Sequence, residues 1–342
     1  MNIARQVIIA TALACVSTVA LAQDNFFAGR EVRLIVGTGT GGGYDTYARL
    51  VARYLGGHIP GNPTFVVSAM PGASGVKAVN YLYSAAPKDG SVIATFNNAM
   101  PVYQAVGQPG IQFKCEELSW IGSMSQLVSV VAVWHTAGVN TIEDAKKKEI
   151  VIGATGAAGT MAGYPALINS TLGTKFKIVT GYEGGNQLNL AMERGEVLGR
   201  GTLSWSSVQS IKPDWISEKK IIPLVQIGPK KEADLPDVPL LVELAQDEVQ
   251  RQMFQFVVLP SAMERPFAGP PGIPAERVAL LRRGFDAMVK SADFLETVKR
   301  QDLDIAPSSG EEVQKIVQEI VSTPADIIER TRVAMAVKES AK

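Results

Sequence analysis

The chain alternates short apolar runs with amphipathic stretches, and this pattern predicts strands that each lead into a helix. Val32, Leu34, Ile35 and Val36 form a β-branched and aliphatic run, and apolar side chains recur at helical spacing through residues 47–55. The same order returns at residues 64–68 and 76–84, and residues 91–96 predict a further strand. Repeated strand-to-helix units are typical of an α/β fold with parallel strands.

The second half of the chain repeats this order with different residues. Residues 149–152 and 177–180 predict strands that run into glycine-rich turns, and residues 127–134 and 221–227 predict two more strands. The apolar run at residues 254–259 predicts a strand that returns the chain to its first region. Beyond Pro274 the pattern is helical.

The repeated halves predict two lobes rather than one, and the composition allows two cores. The chain has 342 residues, of which 46% are hydrophobic. We assign residues 23–125 and 254–342 to lobe I and residues 126–253 to lobe II. Ligands of open parallel sheets bind beyond the carboxyl ends of the strands, and clefts between lobes are favoured sites.

The first 22 residues predict a secretory signal peptide. Residues 1–22 combine a polar start containing Arg5, an apolar stretch, and Ala20-Leu21-Ala22 as a small-x-small cleavage signature. A membrane anchor is disfavoured because the segment is short and interrupted by Ser17 and Thr18. A lipoprotein signal at Cys15 fits poorly with the residues before it. We therefore predict an exported protein.

Charge and cysteine content narrow the classes of partner. Removal of Arg5 with the leader reduces the 33 basic residues to 32, against 33 acidic residues. Nucleic acid is therefore an unfavoured partner. Cys115 is the sole cysteine left, which excludes an intrachain disulfide, and the two histidines have no zinc-ligand spacing. We predict no metal and no cofactor.

The glycine-rich turn after the first strand is the most informative motif. Residues 37–42 match the GxGxxG pattern of dinucleotide-binding folds. That site also needs an acidic residue about 20 positions later, and residues 46–88 contain none. No Gly-Lys-Ser/Thr follows the glycines, so a phosphate P-loop does not fit either. A small anion at the helix N-terminus fits better.

Catalytic motifs are sparse. Residues 72–75 and 122–125 fall short of a G-x-S-x-G nucleophile elbow. A pair of carboxylates acting in hydrolysis stays open, because the separations between acidic residues do not follow from sequence. We predict that the protein is not an enzyme.

Several motifs together resemble the periplasmic solute-binding receptors of tripartite tricarboxylate transporters, often called the Bug family. The resemblance begins with the strand at residues 32–36, the glycines and D-x-x-A-R helix start at residues 41–49, and Met70-Pro71-Gly72-Ala73-Ser74-Gly75. It continues through residues 181–184 and the helix start at residues 271–274. It covers essentially the whole predicted mature chain.

The resemblance implies a two-lobed periplasmic binding protein of type II topology, with a cleft that closes on small carboxylates. Turns of both lobes would grip the ligand through amides and hydroxyls, with two further residues along the walls. The positions implied are Thr38, Thr40, Gly41, Gly42, Tyr44 and Asp45 in the first lobe, Thr155, Gly156, Ala157 and Thr160 in the second, and Asn97 and Tyr182 at the walls. For Asp45 a helix cap is an equal alternative.

The chain departs from the family pattern in two places. Thr38 and Thr40 stand where the first turn usually carries prolines. In residues 195–202 an aspartate of the family pattern is missing, and Arg200 appears near a predicted strand end. A two-pronged contact of Arg200 with a ligand carboxylate and a surface salt bridge are both open. Ser204 and Trp205 follow as further candidates.

The function implied is that of a monomeric periplasmic receptor. It would capture a small organic acid and deliver it to the membrane permease subunits of a transporter. One alternative is the ligand-binding component of a periplasmic sensing system. A hydrolase or lyase acting in the same cleft is a further alternative.

Overall fold

A computed structural model describes residues 26–154, 156, 160–182 and 185–337. The predicted signal peptide lies outside these residues, as do Thr155 and Ala157 of the predicted site.

The chain divides into two compact units. Unit 1 contains the described residues up to Met100, together with Pro109–Met124 and Arg265–Lys315. Unit 2 contains Pro101–Gln108, Ser125–Glu264 and the described residues from Ile316 onward.

Eleven strands and thirteen α-helices make up the regular structure of the described residues, apart from short 3-10 helices. The strands are β1 Glu31–Val36, β2 Thr64–Ala69, β3 Val92–Thr95, β4 Ser119–Ser125, β5 Ser129–Trp134, β6 Ile150–Gly153, β7 Phe176–Val179, β8 Gly199–Ser204, β9 Ile221–Ile227, β10 Glu264–Gly269 and β11 Ser308–Ser309. The helices are α1 Gly43–Tyr54, α2 Val76–Ser84, α3 Met100–Ala105, α4 Ile142–Ala145, α5 Thr160–Leu172, α6 Gly185–Glu193, α7 Trp205–Ile211, α8 Pro213–Ser217, α9 Glu248–Val258, α10 Ala275–Met288, α11 Ala292–Arg300, α12 Gly310–Val321 and α13 Ala325–Ala334.

Unit 1 contains a six-stranded sheet in the order β11-β4-β10-β3-β1-β2. Strand β1 pairs in parallel with β2 and β3, and β10 runs antiparallel to β3. Leu34, Ile35 and Val36 of β1 are fully buried, as expected of a central parallel strand. Val51 of α1 and Leu281 of α10 pack into the same core. The sheet thus holds the start of α1 beyond the carboxyl end of β1.

Unit 2 contains a five-stranded sheet in the order β7-β6-β8-β5-β9. Strand β6 pairs in parallel with β7 and β8, and β5 runs antiparallel to β8 and β9. The two sheets share one arrangement, since in each the first parallel strand lies between the next two and an antiparallel strand follows the third. Trp205 and Trp215 are buried in a core that also includes Val130.

The predicted strand at residues 254–259 is wrong, because this segment lies in helix α9. The Asp247 side chain accepts a hydrogen bond from the Gln250 N–H (2.7 Å) and so caps the helix. Met253, Phe254 and Val257 then follow at helical spacing and are buried. The chain enters unit 1 later, at β10. The boundary between the units accordingly follows Glu264 rather than residue 253.

The other predicted strands are confirmed within one or two residues by β1, β2, β3, β5, β6, β7 and β9. None of the helices in the described part of the chain has the length and apolarity needed to cross a bilayer.

Candidate functional site

In unit 1, the turns that follow the three parallel strands meet at one edge of the sheet. The Gly37 N–H donates to the Thr95 carbonyl (2.9 Å), which joins the end of β1 to the end of β3. A Cβ on Gly37 would stand 3.1 Å from the Phe96 Cβ and 3.5 Å from the Gly75 Cα. Glycine at position 37 therefore allows the three turns to approach closely.

The glycine turn leads into a helix start with little side-chain cover. Gly42 is the N-cap of α1 and supplies no side-chain cap, and Gly41, Gly42 and Gly43 are exposed. Thr40 is exposed as well, and Thr38 is half-buried. The backbone N–H groups at the start of a helix carry the positive end of its dipole. The turn therefore offers an accessible face for a small anion.

The Asp45 side chain stabilises this turn through hydrogen bonds. Its carboxylate is 4% exposed, and Oδ2 accepts hydrogen bonds from the Gly41 N–H (3.0 Å) and from the Arg49 Nε–H (2.9 Å). The Arg49 hydrogen bond, followed by that of Gly41, lowers the pKa of Asp45 below its usual 3.8. These contacts of Oδ2 fit the capping interpretation, while the buried Oδ1 has no hydrogen-bond partner among the described residues.

Tyr44 and the segment at Asn97 lie together. The Asn98 N–H donates to the Tyr44 hydroxyl (3.3 Å), and the Asn97 Oδ1 accepts from the Ala99 N–H (2.8 Å). The hydroxyl of Tyr44 is thereby held at the carboxyl end of β3.

Sequence reasoning missed Arg265, which lies against the start of α1. A Cβ on Gly43 would stand 3.3 Å from the Arg265 Nη2, and the Arg265 Cζ lies 4.4 Å from the centre of the Tyr47 ring. The backbone of Arg265 has a φ of 55°, a conformation that most side chains avoid. Arg265 follows Glu264 on a strand that the hydrophobic pattern did not reveal, so the sequence carried no signal for it.

In unit 2, backbone hydrogen bonds join the turns after β6 and β7. The Ala154 N–H donates to Val179 O (2.8 Å), and the Tyr182 N–H donates to Ala154 O (3.4 Å). Tyr182 is half-buried against the unit 2 core, and Thr160 begins α5. Gly156 is half-buried.

Arg200 is the second residue of β8 and lies opposite Gly153 of β6. It is 5% exposed, and its Nη1 donates to the Gly185 carbonyl (3.3 Å) and to the Asn189 Oδ1 (2.5 Å). Burial lowers the pKa of Arg200 to about 10, so the side chain remains cationic at neutral pH. No ion pair involves Arg200 within the described ranges, so the surface salt bridge finds no partner there.

Ser204 and Trp205 have structural contacts. Ser204 is the N-cap of α7, and its Oγ accepts from the Ser207 N–H (3.4 Å). The buried Trp205 indole donates to both carboxylate oxygens of Asp234 (3.0 and 2.9 Å). Both residues have a folding role that does not require a ligand.

A cavity of about 670 Å³ lies elsewhere in unit 2. Its walls include Phe256, Val258, Leu259 and Pro324, with Glu319 as the acidic member. None of the residues predicted to bind a ligand lines it. An apolar wall with a carboxylate is a poor host for an organic anion.

Comparison with known proteins gives consistent results. Residues 49–333 match the sequence model of a family described as tripartite tricarboxylate transporter family receptor. A UPF0065 protein encoded in the gbd 5′ region of Cupriavidus necator is 25% identical over 333 residues, which cover 95% of this chain and 94% of that protein.

Solved structures show the same fold. A TctC solute-binding protein from Polaromonas, without ligand, has a TM-score of 0.68 at 20% identity, over 88% of this chain and 99% of that one. MatC from Rhodopseudomonas palustris, with bound malate, has a TM-score of 0.60 at 17% identity, over 88% of this chain and all of that one (100%). The predicted α/β fold of the periplasmic binding proteins is confirmed.

Proposed function

Because the chain belongs to the tripartite tricarboxylate transporter receptor family, we propose that this solute-binding receptor takes small dicarboxylates. The observation that carries this proposal is the turn before α1, where exposed glycines face the positive end of a 12-residue helix. Asp45 occupies only the Gly41 amide from inside the turn. The malate bound to the structural neighbour MatC supports the same class of ligand.

The chemistry of binding follows from the donors that the turns provide. Backbone N–H groups and the hydroxyls of Thr38, Thr40 and Tyr44 are suited to carboxylate oxygens. We assign the corresponding role in unit 2 to the segment that includes Gly156 and Thr160, and to Tyr182. These groups bind and orient a solute without a nucleophile or a general base. The receptor therefore releases its solute chemically unchanged.

Thermal unfolding with a ligand panel tests this proposal. The panel contains succinate, malate, glutarate, adipate and citrate, with glutamate and benzoate as comparison acids. A dicarboxylate at 100 times its dissociation constant stabilises the folded protein by about 2.7 kcal/mol, which raises the melting temperature by several degrees. Dimethyl succinate is the matched neutral control and should give no shift.

Product analysis separates a receptor from an enzyme. We expect NMR spectra of the bound acid to stay unchanged over hours of incubation. If no acid shifts the melting temperature while an ester or a lactone is consumed, the receptor proposal is wrong and a hydrolase takes its place.

We further assign the receptor to the periplasm, where it acts as a monomer that delivers its acid to membrane permease subunits. Cells lacking the gene should then lose uptake of the radiolabelled acid that binds best. Restoration of uptake by the full-length gene, but not by one lacking residues 2–22, would support both export and delivery. Uptake that persists without the gene would favour a sensing role instead.

A further inference from the structure

The guanidinium of Arg200 is a buried cation to which the described residues of unit 2 offer no negative partner. At 5% exposure it has lost nearly all of its hydration. Its two acceptors, the Gly185 carbonyl and the Asn189 Oδ1, are both uncharged. Within the described ranges no carboxylate lies within 4.0 Å of it. Burial of an unpaired charge is costly, so such a group calls for a compensating anion.

The hydrogen bonds of Arg200 occupy one side of the guanidinium and leave the other side available. Both bonds come from Nη1. The Nε is buried and has no hydrogen-bond partner in the described part of the chain. Nε and Nη2 form one of the flat edges with which arginine holds a carboxylate through two parallel hydrogen bonds. The remaining edge therefore has the geometry of a carboxylate site.

The helix beside Arg200 adds to its positive potential. Gly185 is the first residue of the nine-residue helix α6, whose first turn contains no acidic residue. A Cβ at Gly185 would stand 3.3 Å from the Arg200 Nη2, so a larger residue would push the guanidinium away by a few tenths of an ångström. The cation thus lies at the positive end of the helix dipole, where it would repel the helix unless an anion joined them.

We propose that Arg200, held by Asn189 and Gly185, is a socket that binds one carboxylate of the solute through its Nε and Nη2. This inference rests on the proposed function and narrows it, because the solute must carry a planar anionic group for unit 2. Asn189 is a positioning residue, since it holds Nη1 and leaves the binding edge free. The socket rejects the amide or ester of the same acid, which cannot supply the missing charge.

Titration calorimetry and thermal unfolding test the socket. The probes are succinate, malate and glutarate, and acetate against chloride at equal ionic strength. We expect R200A to weaken the best dicarboxylate at least 100-fold and to abolish the extra stabilisation by acetate. R200K keeps the positive charge but loses the paired N–H donors of the guanidinium, so its affinity for the dicarboxylate should lie between those of R200A and the wild type. N189A should lose affinity only a few-fold.

Two further variants serve as controls. R194A removes the same charge just beyond α6, where the exposed Arg194 pairs with Glu196 at 3.8 Å, and should bind within twofold of the wild type. E183Q removes a carboxylate that is near in sequence and lies outside the described residues. It should also leave the affinity unchanged. A gain in acetate or dicarboxylate affinity in E183Q would mean that the chain supplies its own anion, and would overturn the inference.

The outcomes distinguish this inference from the proposed function. If R200A keeps a native circular dichroism spectrum and binds dicarboxylates within twofold of the wild type, the socket is wrong and the receptor proposal stands. If acetate stabilises the wild type through Arg200 while no dicarboxylate binds, the socket stands and the dicarboxylate proposal fails. If neither probe affects the wild type, both are wrong. Should R200A fail to fold, R200K and N189A decide by the same criteria.

Discussion

Each of the two units brings an arginine to the first glycine of a helix, but the two arginines differ in burial and in their neighbours. Arg265 lies against Gly43 of α1, and Arg200 lies against Gly185 of α6, each with Nη2 at 3.3 Å from the position of a Cβ. Arg265 is half-buried and stacks on the Tyr47 ring. Arg200 is buried and has only two neutral acceptors.

The starts of α1 and α6 also differ in charge. The first turn of α1 carries Asp45, whose carboxylate already takes up one turn amide, whereas the first turn of α6 carries no acid. Unit 1 therefore contains an internal anion at this place, and the described residues of unit 2 supply none to Arg200. Two helix starts with similar glycines but different charges therefore need not bind the same part of a solute. We expect backbone amides to dominate in unit 1 and a guanidinium in unit 2.

The largest effect on stability is expected from a side chain added at Gly201, next to Arg200 in unit 2. A Cβ at Gly201 would stand 2.0 Å from the Met161 carbonyl oxygen and 2.4 Å from the Pro165 Cγ. The Met161 backbone cannot move far enough to relieve these contacts. We therefore expect G201A to destabilise the protein by about 3 kcal/mol. The urea midpoint measures this change. G57A is the control, because no atom lies within 4 Å of a Cβ there, and it should change stability by less than about 0.5 kcal/mol.

A smaller effect is expected from removal of the internal anion of unit 1. D45N loses the charge-assisted bonds to Gly41 and Arg49, which should cost about 1–2 kcal/mol at neutral pH. The folded-state pKa of Asp45 lies below 3.8, so this stabilisation is present above the unfolded pKa and disappears as the pH falls through the folded value. Urea unfolding of both proteins at neutral and strongly acidic pH measures the difference.

The D45N experiment also has a control and an outcome that would contradict it. E329Q breaks an exposed ion pair with Arg332 and should have no measurable effect. A D45N variant as stable as the wild type at neutral pH would show that Asp45 does not brace the turn.

The smallest effect is expected from alanine at the two helix-start glycines, and it compares the two arginines directly. G43A and G185A each place a Cβ 3.3 Å from a guanidinium, which must then move by a few tenths of an ångström. We expect both variants to retain stability within about 0.5 kcal/mol. G185A should weaken succinate a few-fold by calorimetry, because it displaces Arg200, whereas G43A should leave the affinity nearly unchanged. Equal losses in both variants would mean that the two arginines have the same role.

The sequence predicted the parallel strands well because each of them is a short apolar run that is visible without knowledge of its neighbours in space. In residues 32–36 every position except Arg33 is apolar, and these apolar side chains are fully buried in a strand that lies between β2 and β3. Strand β10 escaped prediction because Glu264 and Arg265 open it, and β4 did so because Ser119, Gly122 and Ser123 interrupt its apolar residues. The run at residues 254–259 misled because a short apolar segment fits a strand and a buried helix alike.

For the site, Tyr44 and Asn97 were named from the family resemblance and not from a contact that the sequence reveals. The hydrogen bond from the Asn98 N–H to the Tyr44 hydroxyl joins turns 54 residues apart, so only the fold shows it. Arg265 was out of reach because its contact with Gly43 depends on strands that are distant in sequence. Arg200 was a candidate, but its burial and its hydrogen bond to Asn189 depend on the packing of β8 against α6.

The last helix has a consequence for the order in which the protein is made. Helix α13 belongs to unit 2, where it packs on α5 and α9 and buries Ile327, Thr331 and Ala334. Most of unit 2 leaves the ribosome long before this helix does. Unit 2 must therefore wait in an incomplete state while the last segments of unit 1 are translated. The hydrophobic surface that Ile327 and Ala334 cover in the folded protein stays open until translation reaches this helix.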